Sequence, residues 1–385
     1  MIEQKVKIID AISDLFICPI THLRLHPLNI SKTDEIKGFF QLNNLVNTNS
    51  ININDNIDYA LGTEDGNYVY PVIDDIFFLV PTMAMAVGNI DSNINSITEV
   101  NSSTIAETKI FYDEYGWQKD FGNNVYNDAV IFEDLRPVSK DYIHKCHLRL
   151  NRYINNSGKF LLDIASGPVQ YDEYLTYSRG FDYRICADIS LKALKEAKKK
   201  IKDKGIYVLC DITNIPIRND SVDSVISLHT LYHVPLEKQK NALREFHRVL
   251  KPNCKVMIVY SWGSKSILMK VNFLHDVYCA LKIIVSKRFD MFKINISSTE
   301  SVKTQKMLYY GVHDLKWFIE NGRTQFKFEL VSWRSVSVKF LQFFIHEFLF
   351  GRLILNFIYN LEDSFPRIFG KYGQYPIIIL KKYIV

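Results

Sequence analysis

KFLLDIASGP, residues 159–168, decides how this chain folds. An apolar run of strand character ends on Asp163 and gives way to a turn of small residues around Gly167. Glycine lets backbone approach a ligand, because no Cβ stands in the way, and the helix that follows such a turn favours a carboxylate at its N-terminus. Outward from this stretch, apolar runs alternate with helical ones: RICADI (184–189), a basic helix, GIYVLCDI (205–212), SVDSVISL (221–228), a helix ending in HRVL (247–250), and KVMIVY (255–260). That alternation predicts an α/β fold with a doubly wound, mostly parallel sheet, whose ligand lies beyond the carboxyl ends of the strands. The loops after Ile164, Ile189, Ile212 and Leu228 then share one rim.

In order along the chain, LLDIASG, ADIS, CDITNIPIRNDSVD, SVISLHTLYHVP and REFHRVLKPNCKVMIVY resemble the class I S-adenosylmethionine (SAM) methyltransferases that act on small molecules, including the quinone-biosynthesis enzymes. The resemblance covers about Phe160 to Tyr260. It implies a Rossmann-like methyltransferase sheet with one antiparallel strand, and SAM as cofactor. On that reading Gly167 meets the methionine part of SAM, Asp188 accepts from both ribose hydroxyls, and Asp211 takes the adenine amine while Ile212 packs on the ring. Asp163 orders the loop and meets the cationic end of the ligand through water or backbone. Ala165, Ser166, Ile189 and Leu228 complete the cofactor-binding set. A nicotinamide dinucleotide is disfavoured, since no GxGxxG follows Asp163 to pass a pyrophosphate. Most members of the family have glycine where this chain has Ala165, Val169 and Asn253; alanine costs little if its φ stays negative, and Asn tolerates a left-handed turn.

The first 87 residues hold two apolar islands, and they look like a degenerate copy of the small zinc-ribbon family that includes activator subunits of tRNA and release-factor methyltransferases. Cys18, Pro19, Thr21 and Leu25 match its opening; Tyr70, Pro71, Val72 and Phe77 to Val80 match its close. Structural zinc takes about four soft or imidazole ligands. This segment offers Cys18 with only His22 and His26, so no metal is expected, and a lid or docking piece held by packing is. The expected division is residues 1–87, an Asn/Ser-rich linker at 88–108, and a methyltransferase domain at 109–385 with insertions at about 263–308 and 340–366. In the last part HDLKWFIENG reads as a helix, and FKFELVSWRSVS with YPIIILKK as the final strands.

A net charge of +5 from 47 basic and 42 acidic residues, with Lys195 to Lys204 reading as the wet face of a helix, gives no expectation of nucleic-acid binding. The six cysteines form no CxxC pair and the N-terminus lacks a secretory signature, which favours a reducing, cytoplasmic setting. His346, Glu347 and Arg352 interrupt the apolar stretch from Phe340 to Leu361, so it is too broken to span a membrane. Leu341, Phe344, Ile345 and Phe348 follow helical spacing there and predict a core helix, with peripheral lipid contact as the second reading and oligomerisation left open.

Methyl transfer needs alignment first and a base only where the acceptor must lose a proton. His229 and His233, after the fourth strand, are the candidates for acceptor contact or catalysis. Tyr112, Tyr115 and Trp117 in a covering segment, with Tyr310 and His313 before the last helix, are the candidates for contact with a small-molecule acceptor.

Overall fold

The computed structural model describes residues 12, 14–28, 57–87, 103–119, 124–278, 308–322 and 326–383. The Asn-rich stretch at 43–56, most of the expected linker (88–102) and most of the first insertion (279–307) lie outside them.

Short strands open the chain: β1 (Leu25–Pro27), β2 (Ile57–Thr63), β3 (Tyr68–Ile73), β4 (Ile76–Phe78) and β5 (Met85–Ala86). Helix α1 (Ser103–Phe111) runs into one π turn, Tyr112–Gly116, and α2 (Asn127–Phe132) and α3 (Lys140–Arg149) follow. Residues 103–108, which the sequence places in a linker, are therefore helical. The alternating part comprises β6 (Gly158–Ile164), β7 (Phe181–Asp188), α4 (Leu191–Ile201), β8 (Gly205–Leu209), β9 (Val222–Leu228), α5 (Leu236–Val249) and β10 (Leu250–Val259). The chain closes with α6 (Leu315–Gly322), β11 (Phe326–Arg334), α7 (Val338–Phe344), α8 (Gly351–Ser364), α9 (Pro366–Tyr372) and β12 (Tyr375–Lys382).

All the strands join one sheet in the order β1-β2-β3-β4-β8-β7-β6-β9-β10-β12-β11, with β5 on β3. From β4 to β10 every pairing is parallel, and β12 enters antiparallel between β10 and β11. The expectation of a single antiparallel strand holds for that half alone, because β1–β2, β2–β3 and β3–β4 are antiparallel as well. The strands of the N-terminal segment continue the main sheet: Ile76, Phe77 and Phe78 pair with Tyr207, Val208 and Leu209. Cys18 lies in the core against the Tyr70 hydroxyl (3.2 Å), and its sulfur accepts the N–H groups of Ile20 and Thr21.

Strand period sorts the core into two layers. Leu162, Ile164, Ile185, Ala187, Ile206 and Val208 face one side, where α5 lays Ala242, Leu243 and Phe246 on them. Leu161, Cys186, Tyr207 and Leu209 face the other, beneath Leu194 and Ala197 of α4. Ser190 caps α4 by accepting the Ala193 N–H (3.1 Å), and its basic run stays on the wet face. A third cluster joins α3 to α7 and α8 through Cys146, Leu341, Ile345 and Leu355. The core reading of residues 340–361 is half right. Phe348, expected on the buried stripe, is 79% exposed because α7 ends at Phe344 and the phase is lost before α8 begins.

Candidate active site

Four loops meet at the carboxyl rim, after β6, β7, β8 and β9. The first carries three consecutive alternate residues in the left-handed region: Ala165 at φ 55°, Gly167 at 55° and Val169 at 49°. Only glycine is at ease there. The condition under which Ala165 would be cheap, a negative φ, is therefore not met, whereas Asn253 at φ 64° does adopt the left-handed turn that Asn tolerates. We expect Ala165→Gly to stabilise the fold by about 0.5–1 kcal/mol through relief of this strain; chemical denaturation checks it, and a lower midpoint would contradict the strain.

Asp188 holds the loop from below. Its Oδ2 accepts the Gly167 N–H and its Oδ1 the Ser190 N–H, both at 2.8 Å. Burial pushes this carboxyl up to about 6, against the pull of those two N–H groups. A carboxylate has about four acceptor directions, so two remain for hydroxyl donors. Asp211 is half-buried, and its Oδ1 takes the N–H and hydroxyl of Thr213 (2.7 and 2.8 Å) in a turn that fixes the third loop beside Ile212. Leu228 and Ile189 end their strand regions on the same rim, and Ser166 N–H bonds the Ala187 carbonyl (3.2 Å).

Asp163 does something else. It is buried against Arg184 of the neighbouring strand, whose Nε and Nη2 both donate to Oδ2, while Nη1 donates to the Tyr174 carbonyl (2.6 Å). The ion pair engages Oδ2 alone, and Oδ1 has no protein partner among the described residues. Arg184 is the one basic residue inside the run RICADI, and a guanidinium in a two-sided buried strand has to find a partner.

The segment from Tyr112 to Trp117 covers the first loop. A Cβ built on Gly167 would come within 3.1 Å of the Trp117 ring, so the glycine makes room for the indole. Trp117 stacks on Tyr112 at 4.7 Å, and Asp113 ties the segment down by accepting the Ser190 hydroxyl. Tyr115 is exposed to solvent. Neither Asp113 nor Ser190 was legible as a site residue, because their meeting depends on the fold bringing residues 113 and 190 together.

Beyond the loop lies an aromatic wall. The His233 ring is 4.5 Å from Tyr232, 6.2 Å from Tyr112 and 6.3 Å from Tyr310. Its Nδ1 donates to the Tyr309 carbonyl (2.7 Å), which leaves Nε2 as the acceptor, and burial lowers its pKa to about 4 despite that bond. His229, at φ 58°, packs edge-on to Trp333 (4.5 Å) and Tyr375 (5.5 Å). Burial, and then the Arg334 guanidinium, hold it near 3, too low for a base at neutral pH. Tyr310 closes the rim, its hydroxyl 2.7 Å from Ser261 Oγ. The His313 ring stacks on Trp317 at 3.8 Å, and its backbone N–H donates to the Tyr260 hydroxyl and braces a turn. Asp128 of α2 lies near enough for its charge, after burial, to push up the Tyr112 and Tyr232 hydroxyls. Burial lifts the Asp128 carboxyl to about 7, against the pull of the Gln170 side chain.

Residues 162–258 match the family described as the methyltransferase domain. The chain is 28% identical over 201 residues to an uncharacterized protein of Methanocaldococcus jannaschii, covering 50% of this chain and 78% of that one. It is 27% identical over 139 residues to probable tRNA methyltransferase 9B of Bos taurus, covering 34% of this chain and 28% of that protein. It is 32% identical over 99 residues to the ubiquinone/menaquinone biosynthesis C-methyltransferase of Pectobacterium carotovorum, covering 24% and 38%. Among solved structures, a complex of the Haloferax volcanii Trm112 methyltransferase activator with a methyltransferase aligns at TM-score 0.39 and 17% identity, over 64% of this chain and 92% of that one. Residues 162–258 are a class I SAM-dependent methyltransferase domain with SAM as its cofactor. The observed donors and acceptors fit that cofactor: a glycine cradle under an indole, and a buried carboxylate with acceptor directions to spare.

Proposed function

We propose that this chain transfers the methyl group of SAM to a small or medium organic acceptor, at oxygen, nitrogen or carbon. The aromatic wall of Tyr112, Tyr232, His233 and Tyr310 beside the Gly167 loop carries this reading. Packed rings around one half-buried histidine suit a compact, partly planar acceptor better than a polyanion.

SAM supplies a methyl already activated on sulfur, so the protein's work is alignment and, for a protic acceptor, removal of a proton. Asp188, Gly167, Asp211 and Ile212 hold the cofactor in this reading, with Ala165, Ser166, Ile189 and Leu228 lining it and Trp117 and Tyr112 covering it. His233, fixed by the Tyr309 carbonyl, offers Nε2 as an acceptor that orients the substrate. Asp128, lifted to about 7, is the base matched to neutral pH.

The test is release of S-adenosylhomocysteine with a panel of phenols, amines and enolisable ketones. In kcat/KM we expect an acid limb near pH 7 that disappears in Asp128→Asn, and a loss of about 100-fold in kcat for His233→Ala with the limb retained. An unchanged limb in Asp128→Asn would remove it from the mechanism.

Methylation of RNA is the second reading, favoured by the similarity to probable tRNA methyltransferase 9B and by the ribbon-like strands built into the sheet. Tight binding to RNA that weakens steeply with salt, together with inactivity on every small acceptor, would establish it over the first.

A further inference from the structure

The layer made by residues 263–278, α7, α8 and α9 leaves a broad apolar surface in water. Phe350 is 73% exposed, Leu353 68%, Phe357 63%, Phe273 60% and Ile368 54%. Phe350, Leu353, Ile354 and Phe357 recur at helical spacing, so they share one face of α8, and its other face buries Leu355 and Glu362. Phe350 sits at φ 57°, a conformation unfavourable for a bulky side chain, and its ring still points to solvent. The pieces are tied into one layer: Asn272 Nδ2 donates to Ser337 Oγ (2.9 Å), and the Phe343 ring lies 5.4 Å from both His275 and Tyr278. Exposed apolar surface on this scale marks an interaction site.

Charge identifies the occupant. Lys265, Lys270, Lys339, Arg352, Arg367 and Lys371 are exposed on this layer, against exposed Asp276 and Glu347. Those two acids are spent on Lys339 (3.5 Å) and Arg352 (2.8 Å). Lys270, Arg367 and Lys371 take part in no ion pair among the described residues, so the rim of the apolar face is basic. A second copy of the same face would set this charge against itself.

We propose that the layer docks on an anionic lipid bilayer, with α8 lying in the headgroup plane, its apolar face in the acyl boundary and the basic rim on lipid phosphates and carboxylates. The surface lies outside the SAM loop, so docking is independent of the proposed transfer.

Co-sedimentation of the full chain with vesicles of phosphatidylcholine alone, or mixed with phosphatidylserine, tests it. We expect binding to the mixed vesicles that falls with added salt, weakens about tenfold or more in Leu353→Asp/Phe357→Asp, and falls less in Arg367→Gln/Lys371→Gln. Both variants should keep the far-UV spectrum and S-adenosylhomocysteine affinity of the parent chain. Absence of binding to either vesicle would overturn the proposal. So would a dimer in light scattering that the Leu353→Asp/Phe357→Asp change dissolves, because the face would then belong to a second copy.

Discussion

Replacing Asp188 by Asn should cut affinity for S-adenosylhomocysteine by about 100-fold or more. Two hydrogen bonds from ribose hydroxyls to a buried carboxylate are each worth about 1.5–3 kcal/mol, and about 1.4 kcal/mol is tenfold. The change also turns an amide N–H2 toward the Gly167 or Ser190 N–H, both of which now donate to the carboxylate at 2.8 Å. The loop is thus loosened as well as its acceptor weakened. Calorimetry at pH 8 measures the loss, and affinity within threefold of the parent would remove Asp188 from the cofactor site.

The same carboxylate sets a pH dependence. Burial lifts it from an ordinary 3.8 to about 6, and hydroxyl donors need the ionised form. Affinity should be flat above about pH 7 and fall toward tenfold per unit below pH 6. The stability of the ligand-free protein runs the other way for this group: a raised folded pKa means that protonation relieves the buried charge, so its unfavourable contribution is greatest above pH 6 and fades toward 3.8. Asp188→Asn should abolish that limb of the affinity profile.

What the sequence made legible follows from what is local. Strand ends, the glycine turn and the order of the acidic residues are written in short stretches, and Gly167, Asp188, Asp211 and His233 came out on one rim because a parallel sheet leaves them no other place. The ion pair of Asp163 was not legible, because a strand-end acid looks the same whether it faces ligand or the next strand. Its partner Arg184 lies 21 residues away and is matched only by sheet register. The placement of Tyr115 and His313 was hidden for a related reason: aromatic composition marks a segment as packed without saying which ring turns inward. The N-terminal strands carried a family likeness, yet nothing in residues 76–78 alone says that they pair with 207–209. Phe348 shows the limit of periodicity, since a helical stripe read across Phe344 assumes an unbroken helix where the chain changes phase.

Glu362 is the residue whose loss should cost the fold most. Fully buried in α8, it accepts the Tyr142 hydroxyl and the Ser335 N–H on Oε1 (2.7 Å each) and Arg149 Nη1 on Oε2 (3.0 Å). Arg149 also donates to the Trp333 carbonyl, and Trp333 is the ring against which His229 packs. One carboxylate therefore ties α8 and α3 to the end of β11 that backs the acceptor wall. Glu362→Leu leaves the buried Arg149 with Asp363 (3.1 Å) as its one carboxylate partner among the described residues and strands a hydroxyl and an N–H, and breaking a buried pair from one side costs about 3–5 kcal/mol. Removing both charges leaves no orphaned ion, so Arg149→Met/Glu362→Leu should be less destabilising than the sum of the single changes. Denaturant midpoints for the three variants measure both statements. A cost below about 1 kcal/mol for Glu362→Leu would mean that water reaches Arg149 and that α8 is held by its apolar contacts alone.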